Sequence, residues 1–224
     1  MLKSHKHVFW EALLVTILIF GIGIFLGVVL ENWRAGKISD LYSESDINLL
    51  DMNALEGTLN LKDINCGEAV IKNIEFGDKI YDDAQELERY EKANKFTDAI
   101  VQEHKRYDLL RTLFWINSIK IKEKCGHESF HTMVYLYDYN SDDISQISKQ
   151  SVFARYLEEL KKVYEDKIVL IPIARNMDLK SVELLTKNYD INGTSILVDE
   201  KLLVTELEDL EKITNYLSNL SVSS

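Results

Sequence analysis

Hydrophobic positions are spread unevenly along the chain, and the densest run comes first. Starting at Ala12 and ending at Leu30 the sequence reads ALLVTILIFGIGIFLGVVL, nineteen residues without a charge. At about 1.5 Å per residue such a helix matches the roughly 30 Å of a bilayer's hydrocarbon core. A soluble core helix is seldom apolar on every face for that length, so the pattern predicts a membrane anchor. A cleaved signal peptide is the competing reading, but its apolar core is usually about 7–15 residues long and is followed by a small-x-small site, which ENWRAG does not offer clearly. Trp10 and Trp33 bracket the run as interface-seeking indoles do, and Glu11 falls at its edge.

Beyond the anchor the period changes. Between Ile38 and Lys124 there is no proline, and apolar residues recur at three and four: Ile38 with Leu41, Leu55 with Leu59, Ile80 with Ala84 and Leu87, Leu109 with Leu113 and Phe114. This spacing predicts amphipathic helices. Breaks fall at residues 60–67, where Asn65-Cys66-Gly67 reads as a turn or cap, and more softly at 90–94. Three helices fit, packed as hairpins, and form a membrane-proximal stalk over residues 31–128. Residues 109–121, LLRTLFWINSIKI, are so rich in large apolar side chains that they must bury against something, most simply the domain that follows.

The last hundred residues mix two periods. A strand is predicted over 132–139, a helix over 151–166, a continuous apolar strand KIVLIPIA over 167–174, and a helix over 179–187. After the Asn192-Gly193 turn come two short strands, 195–198 and 202–206, then a closing helix over 207–220. The order is β-α-β-α-β-β-α. The long first crossover makes strands one and two parallel, and the last two form a hairpin.

Charge narrows the function. Acids outnumber Lys and Arg by 37 to 26, for a net of -11, which argues against a nucleic-acid surface. Lys3 and Lys6 on the short side of the anchor favour an inside N-terminus, although Arg34 and Lys37 follow the span. Residues 31–224, with 24 basic against 36 acidic side chains, are then extracytoplasmic at the cell membrane. Gly23 and Gly27 make a GxxxG step through which two such helices could pair as a homodimer.

The final order, with the segment YDINGTSILVDEK at 189–201, resembles the thioredoxin fold over a stretch beginning at Phe130 and ending at Leu220. An anchor, a helical stalk and a terminal α/β thioredoxin-like domain at 129–224 are together similar in plan to archaeal membrane proteins. The resemblance implies a Cys-x-x-Cys where the first strand meets its helix, with a cis-proline opposite. The first position here is Asn140-Ser-Asp-Asp-Ile-Ser-Gln, without a thiol; the second is Asn192-Gly-Thr-Ser195. Asp142, Asp143, Ser145, Gln146 and Thr194 therefore occupy a degenerate redox site. Ser141 or Asp142 is expected to cap the helix, whose positive end suits Asp142 and Asp143.

No paired-carboxylate geometry follows from adjacent aspartates, and no GxSxG, P-loop, GxGxxG or HExxH occurs. Cys66 and Cys125 are expected to pair as a disulfide on an oxidising side, closing a loop worth roughly 4 kcal/mol in the chain-entropy model, with free thiols as a further alternative. The alternative is a thiol-disulfide oxidoreductase that uses them. Cys66, Cys125, His127 and His131 could also complete a zinc tetrahedron, although the spacing fits no finger. Asn192-Gly-Thr194 and Asn219-Leu-Ser221 are glycosylation sequons in a glycosylating compartment. The expectation is a binding or assembly module for a protein partner, without cofactor or catalytic residue. A helical, coiled-coil oligomerisation device is the further alternative.

Overall fold

The computed structural model describes residues 5–61, 63–93, 98–126 and 130–221. The chain divides into two compact units, Met1–Ile47 and Asn48–Ser224.

Helix α1, His5–Leu59, begins in the first unit and ends in the second. Its stretch His7–Trp33, 27 residues, is long and apolar enough to cross a membrane. Leu14, Leu18, Phe20, Phe25 and Leu30 are each more than half exposed there. Thr16, the one polar side chain within ALLVTILIF, returns its hydroxyl to the Ala12 carbonyl at 2.9 Å, leaving no donor for lipid to strand. The helix does not end where the apolar run does, because nothing between Glu31 and Leu59 breaks it; Gly36 and Gly57 cost only about 1 kcal/mol each.

In the second unit, α2 (Cys66–Ala93) and α3 (Asp98–Cys125) follow the expected break, with Asn65 accepting the Glu68 amide as a cap. Then come β1 (His131–Tyr137), α4 (Ile144–Tyr164), β2 (Ile168–Ala174), α5 (Lys180–Asn188), β3 (Ser195–Val198), β4 (Leu202–Val204) and α6 (Glu211–Ser221). The expected β-α-β-α-β-β-α order is the order found. The helix after β1 starts seven residues earlier than the periodicity placed it, because Asp143 caps it, and β4 ends two residues sooner.

The four strands form one mixed sheet, ordered β2-β1-β3-β4. β1 runs parallel to β2, with Val134 opposite Ile171, and antiparallel to β3, with Val134 opposite Leu197; β3 and β4 are a hairpin. Side chains alternate across such strands, and two cores result. Val134, Leu136, Val169, Ile171, Ile173 and Leu197 face Met52, Leu59, Ile80, Leu110, Phe114, Trp115 and Val182, so the end of α1 together with α2, α3 and α5 covers one face. Met133, Tyr135, Ile196, Val198 and Val204 face Phe153, Leu157, Ile213 and Leu217 of α4 and α6. The run LLRTLFWINSIKI is thus buried on the sheet that follows it.

Gly77 shows how closely α2 approaches. A Cβ there would stand 2.9 Å from Phe114 Cζ and 3.4 Å from Val169 Cγ1. Cys66, first in α2, and Cys125, last in α3, are paired at disulfide distance with Cα atoms 5.3 Å apart, stapling the ends of the helical hairpin.

Candidate functional site

Parallel strands β1 and β2 end side by side, and ligands of open α/β sheets bind outside such carboxyl ends. The turn after β1 lies here. Asn140 takes a left-handed backbone, φ 51°, which Asn tolerates better than most residues. That turn uses up residues, and the cap falls to Asp143, whose Oδ1 accepts the Ser145 amide at 2.9 Å. The expected cap at Ser141 or Asp142 is therefore displaced. Ser141 accepts the Asp143 amide and donates to Gln146 Oε1, while Asp142 is exposed.

Of the sequence-predicted positions, Gln146 and Thr194 take part in the strand-end network, and Asp142, Asp143 and Ser145 remain at the exposed helix start. Gln146 donates to Asp138. Thr194, buried in the loop before β3, donates to Gln150 Oε1 at 3.2 Å, and the same oxygen accepts the Asp138 amide at 3.0 Å. Gln150 thus joins the two loops. No peptide bond among the described residues is cis.

An open cleft of about 770 Å³ extends from this turn between α2, α3 and α4 along the free edge of β2. Four tyrosines, Tyr81, Tyr135, Tyr137 and Tyr139, line it with His104 and Arg111. His104 Nε2 lies 2.9 Å from the Tyr137 hydroxyl and 3.4 Å from Asp108 Oδ2, and its ring stacks on Tyr139 at 4.1 Å. Asp108, fully buried, accepts the Ala174 amide at 3.2 Å and Arg111 Nη1 at 3.3 Å. Burial pushes the Asp108 carboxyl above its ordinary range, against the opposing pull of His104, Arg111 and the Ala174 amide.

Sequence reasoning passed over His104, Asp108 and Arg111. The signal was their spacing: i, i+4 and i+7 place three polar side chains on one helical face that also carries Tyr107 and Leu110. Polar groups on a buried stripe need partners, and here the partners come from β1 and β2.

A second polar cluster occupies the opposite, amino end of β1. Lys122 is 2% exposed, and its ammonium donates to Thr132 Oγ1 at 2.6 Å, Asp199 Oδ1 at 3.1 Å and Glu200 Oε2 at 2.8 Å. Trp115 Nε1 donates to Glu200 at 2.8 Å, and the Asp199 carboxylate also takes the Thr132 amide and His131 Nδ1. Asp199 and Glu200 pay for these contacts with left-handed backbones, φ 49° and 58°. Burial pushes the Asp199 carboxyl up, but the His131 hydrogen bond and the Lys122 charge outweigh it and hold the group below its ordinary value.

The residues considered for zinc are dispersed among these features. Cys66 and Cys125 are on each other, His131 is on Asp199, and His127 lies outside the described residues. Among the described residues no group of three or more His, Cys, Asp and Glu is placed to hold a metal ion. No family model matches the chain, and neither a curated protein nor a solved structure matches it.

Proposed function

We propose that this chain is a single-pass membrane protein whose body is a thioredoxin-like domain without dithiol chemistry, serving as a binding module on the extracytoplasmic face. The observation that carries the reading is the composition of the strand-end site. Where β1 meets α4 the turn has no thiol, and a cleft lined by four tyrosines, His104 and Arg111 opens beside it. Tyrosine-lined concavities with a few placed polar groups suit recognition. The chain's two cysteines are joined to each other by a bond spanning 59 positions, far from any Cys-x-x-Cys spacing.

Helical oligomerisation is the weaker reading, because the apolar sides of α2 and α3 are taken up by the sheet. The oxidoreductase alternative has one feature in its favour: Cys66 opens α2, and a helix N-terminus stabilises a thiolate.

Two measurements separate these readings. A structural Cys66–Cys125 bridge should have a potential below about -300 mV and give no insulin reduction, whereas turnover of insulin disulfides would establish the oxidoreductase. A photo-crosslinker at Ser151, on the exposed rim of the cleft, should give discrete adducts in native membranes, and one at Lys201, at the opposite end of the sheet, should not. Equal labelling at both positions would reject the cleft as the binding surface.

A further inference from the structure

Arg111 is a charged side chain in the cleft whose bonding the protein leaves incomplete. Its side chain is 6% exposed, and what exposure it keeps is onto the cleft it helps to line. Nη1 reaches Asp108 at 3.3 Å, a long bond for an ion pair, and Nε is buried with no hydrogen-bond partner. The remaining described contact is with the Tyr107 ring, 5.9 Å away. A guanidinium carries five N–H donors, and a desolvated donor left unmet is destabilising.

The counter-charge is incomplete as well. Asp108 Oδ2 makes no hydrogen bond and faces His104 Nε2 at 3.4 Å, while burial disfavours its ionised form. The neighbouring acid Asp138 is committed elsewhere, with Arg175 Nε 2.7 Å from Oδ1 and Nη2 2.9 Å from Oδ2. Glu158 and Lys162, also on the cleft wall, are exposed on α4. A largely desolvated guanidinium with an unmet donor therefore stands at the inner wall beside a single acid.

The cleft also limits how a ligand can be held. Strand β2 is the sheet's edge, but its outward N–H donors are largely spent. Hydrogen-bonding direction alternates along a strand, and Arg175 N points to Tyr137 O of β1, so 168, 170, 172 and 174 point outward. The Ile168 carbonyl accepts Lys161 Nζ at 2.9 Å, Pro172 has no N–H, and the Ala174 N–H is on Asp108. With the Ile168 N–H on the Glu165 carbonyl, an added peptide strand would find Leu170 as the one outward donor without a described partner, so the edge is poorly furnished for strand addition. A ligand must be held by an end group and by its side chains.

We propose that the cleft binds a carboxylate carried on an aromatic or apolar body, with the carboxylate on Arg111 beside His104 and the body against Tyr81, Tyr135, Tyr139 and Leu170. A planar guanidinium matches a carboxylate's two oxygens, and tyrosine rings receive flat or aliphatic groups. A doubly charged phosphate would meet a single buried cation in a chain of net charge -11. A chain end and a small free acid present the same chemistry, and the cleft has room for either. This inference rests on the reading of the cleft as the binding site.

The test uses the full chain in nanodiscs, titrated calorimetrically with acetyl-Ala-Phe as the free acid, with its C-terminal amide, and with 3-phenylpropionate. The free acid should saturate, and the amide should bind at least about tenfold more weakly, a difference of roughly 1.4 kcal/mol. Binding of 3-phenylpropionate at equal strength would identify a small acid as the natural class; binding of the peptide alone would identify a chain end. Arg111→Lys should lower the free-acid affinity at least about tenfold. Ser151→Trp, an exposed helical substitution that fills the mouth of the cleft, should abolish binding with an unchanged melting temperature, and it decides the matter where Arg111→Lys fails to fold. Saturation by neither peptide at roughly 10 mM, or binding that survives Ser151→Trp, overturns the proposal. Equal binding of acid and amide, lost in Ser151→Trp, removes the carboxylate and leaves the binding site standing. Equal crosslinking at Ser151 and Lys201 removes the binding site itself.

Discussion

At the amino end of β1, Lys122 directs its three ammonium protons at Thr132, Asp199 and Glu200, each within 3.1 Å, and Trp115 and His131 take further carboxylate oxygens. At the carboxyl end, roughly 16 Å back along α3, Arg111 meets one acid at 3.3 Å and keeps a buried donor unmet. Both clusters are built from α3 and the same strand, and both are buried. They differ in closure. The β3–β4 turn folds Asp199 and Glu200 inward over Lys122, and the Cys66–Cys125 staple sits one turn of α3 away. Among the described residues no comparable turn folds over Arg111, and a cleft opens on it. A buried cation with all its donors placed holds the fold together, whereas one with donors unplaced points to a ligand.

Substitutions should separate the two ends by size. The largest effect belongs to Lys122→Met, which strands the buried Asp199 and the half-buried Glu200 carboxylates and should cost about 3–5 kcal/mol in denaturant unfolding. A cost as small as that of a surface substitution would show that the closed end is not a stabilising pin. The double substitution Cys66→Ser with Cys125→Ser should cost up to about 4 kcal/mol, read as a lower urea midpoint without loss of the folded far-ultraviolet spectrum. Arg111→Met should cost only about 1–2 kcal/mol, because Asp108 can take up a proton when its partner is gone. If Arg111→Met proves as damaging as Lys122→Met, the two ends are alike and the contrast fails.

The two aspartates should also respond to pH with opposite signs. Asp199 has a lowered folded value, so its stabilisation is present above the unfolded value of about 3.9 and is lost as pH falls through the folded one. Asp108 has a raised folded value, so its contribution is fullest below about 3.9 and declines as pH rises toward the folded value. Asp199→Asn should therefore destabilise more at pH 7 than at pH 3, and Asp108→Asn less at pH 7 than at pH 3, in paired melts. Same-sign slopes would contradict the assignment. The smallest effect is at the turn: Asp143→Ala should cost about 1 kcal/mol as a lost cap, while Asp142→Ala should cost nearly nothing.

Much of this framework can be read from residue periodicity. The apolar span, the break at Asn65-Cys66-Gly67, the order of elements along the chain and the burial of LLRTLFWINSIKI all follow from spacing, because each depends on apolar side chains that must find one another. The polar ends were less legible. Asp199-Glu200-Lys201 looks like a solvated hairpin turn, and only the left-handed backbone at Asp199 and Glu200 turns both acids inward. Lys122 reads as a solvent-facing member of KIKEK, yet α3 lies so close to the sheet that it is buried. His104, Asp108 and Arg111 share a helical face that is recognisable in hindsight, but their meaning depends on Tyr137 and Ala174, which are distant in sequence. The cap moved from the expected Ser141 or Asp142 to Asp143 because Asn140 adopts a left-handed turn, a choice that spacing does not encode.

The most direct test of the open end as the place of recognition is hydrogen exchange of the full chain in nanodiscs, with and without acetyl-Ala-Phe free acid. The amides of Asp138, Tyr139 and Ala174, bonded to Gln150, Asn176 and Asp108, should exchange more slowly with the peptide bound, while those of Thr132 and Asp199 stay unchanged. Protection confined to Thr132 and Asp199, or equal at both ends of β1, would contradict the account.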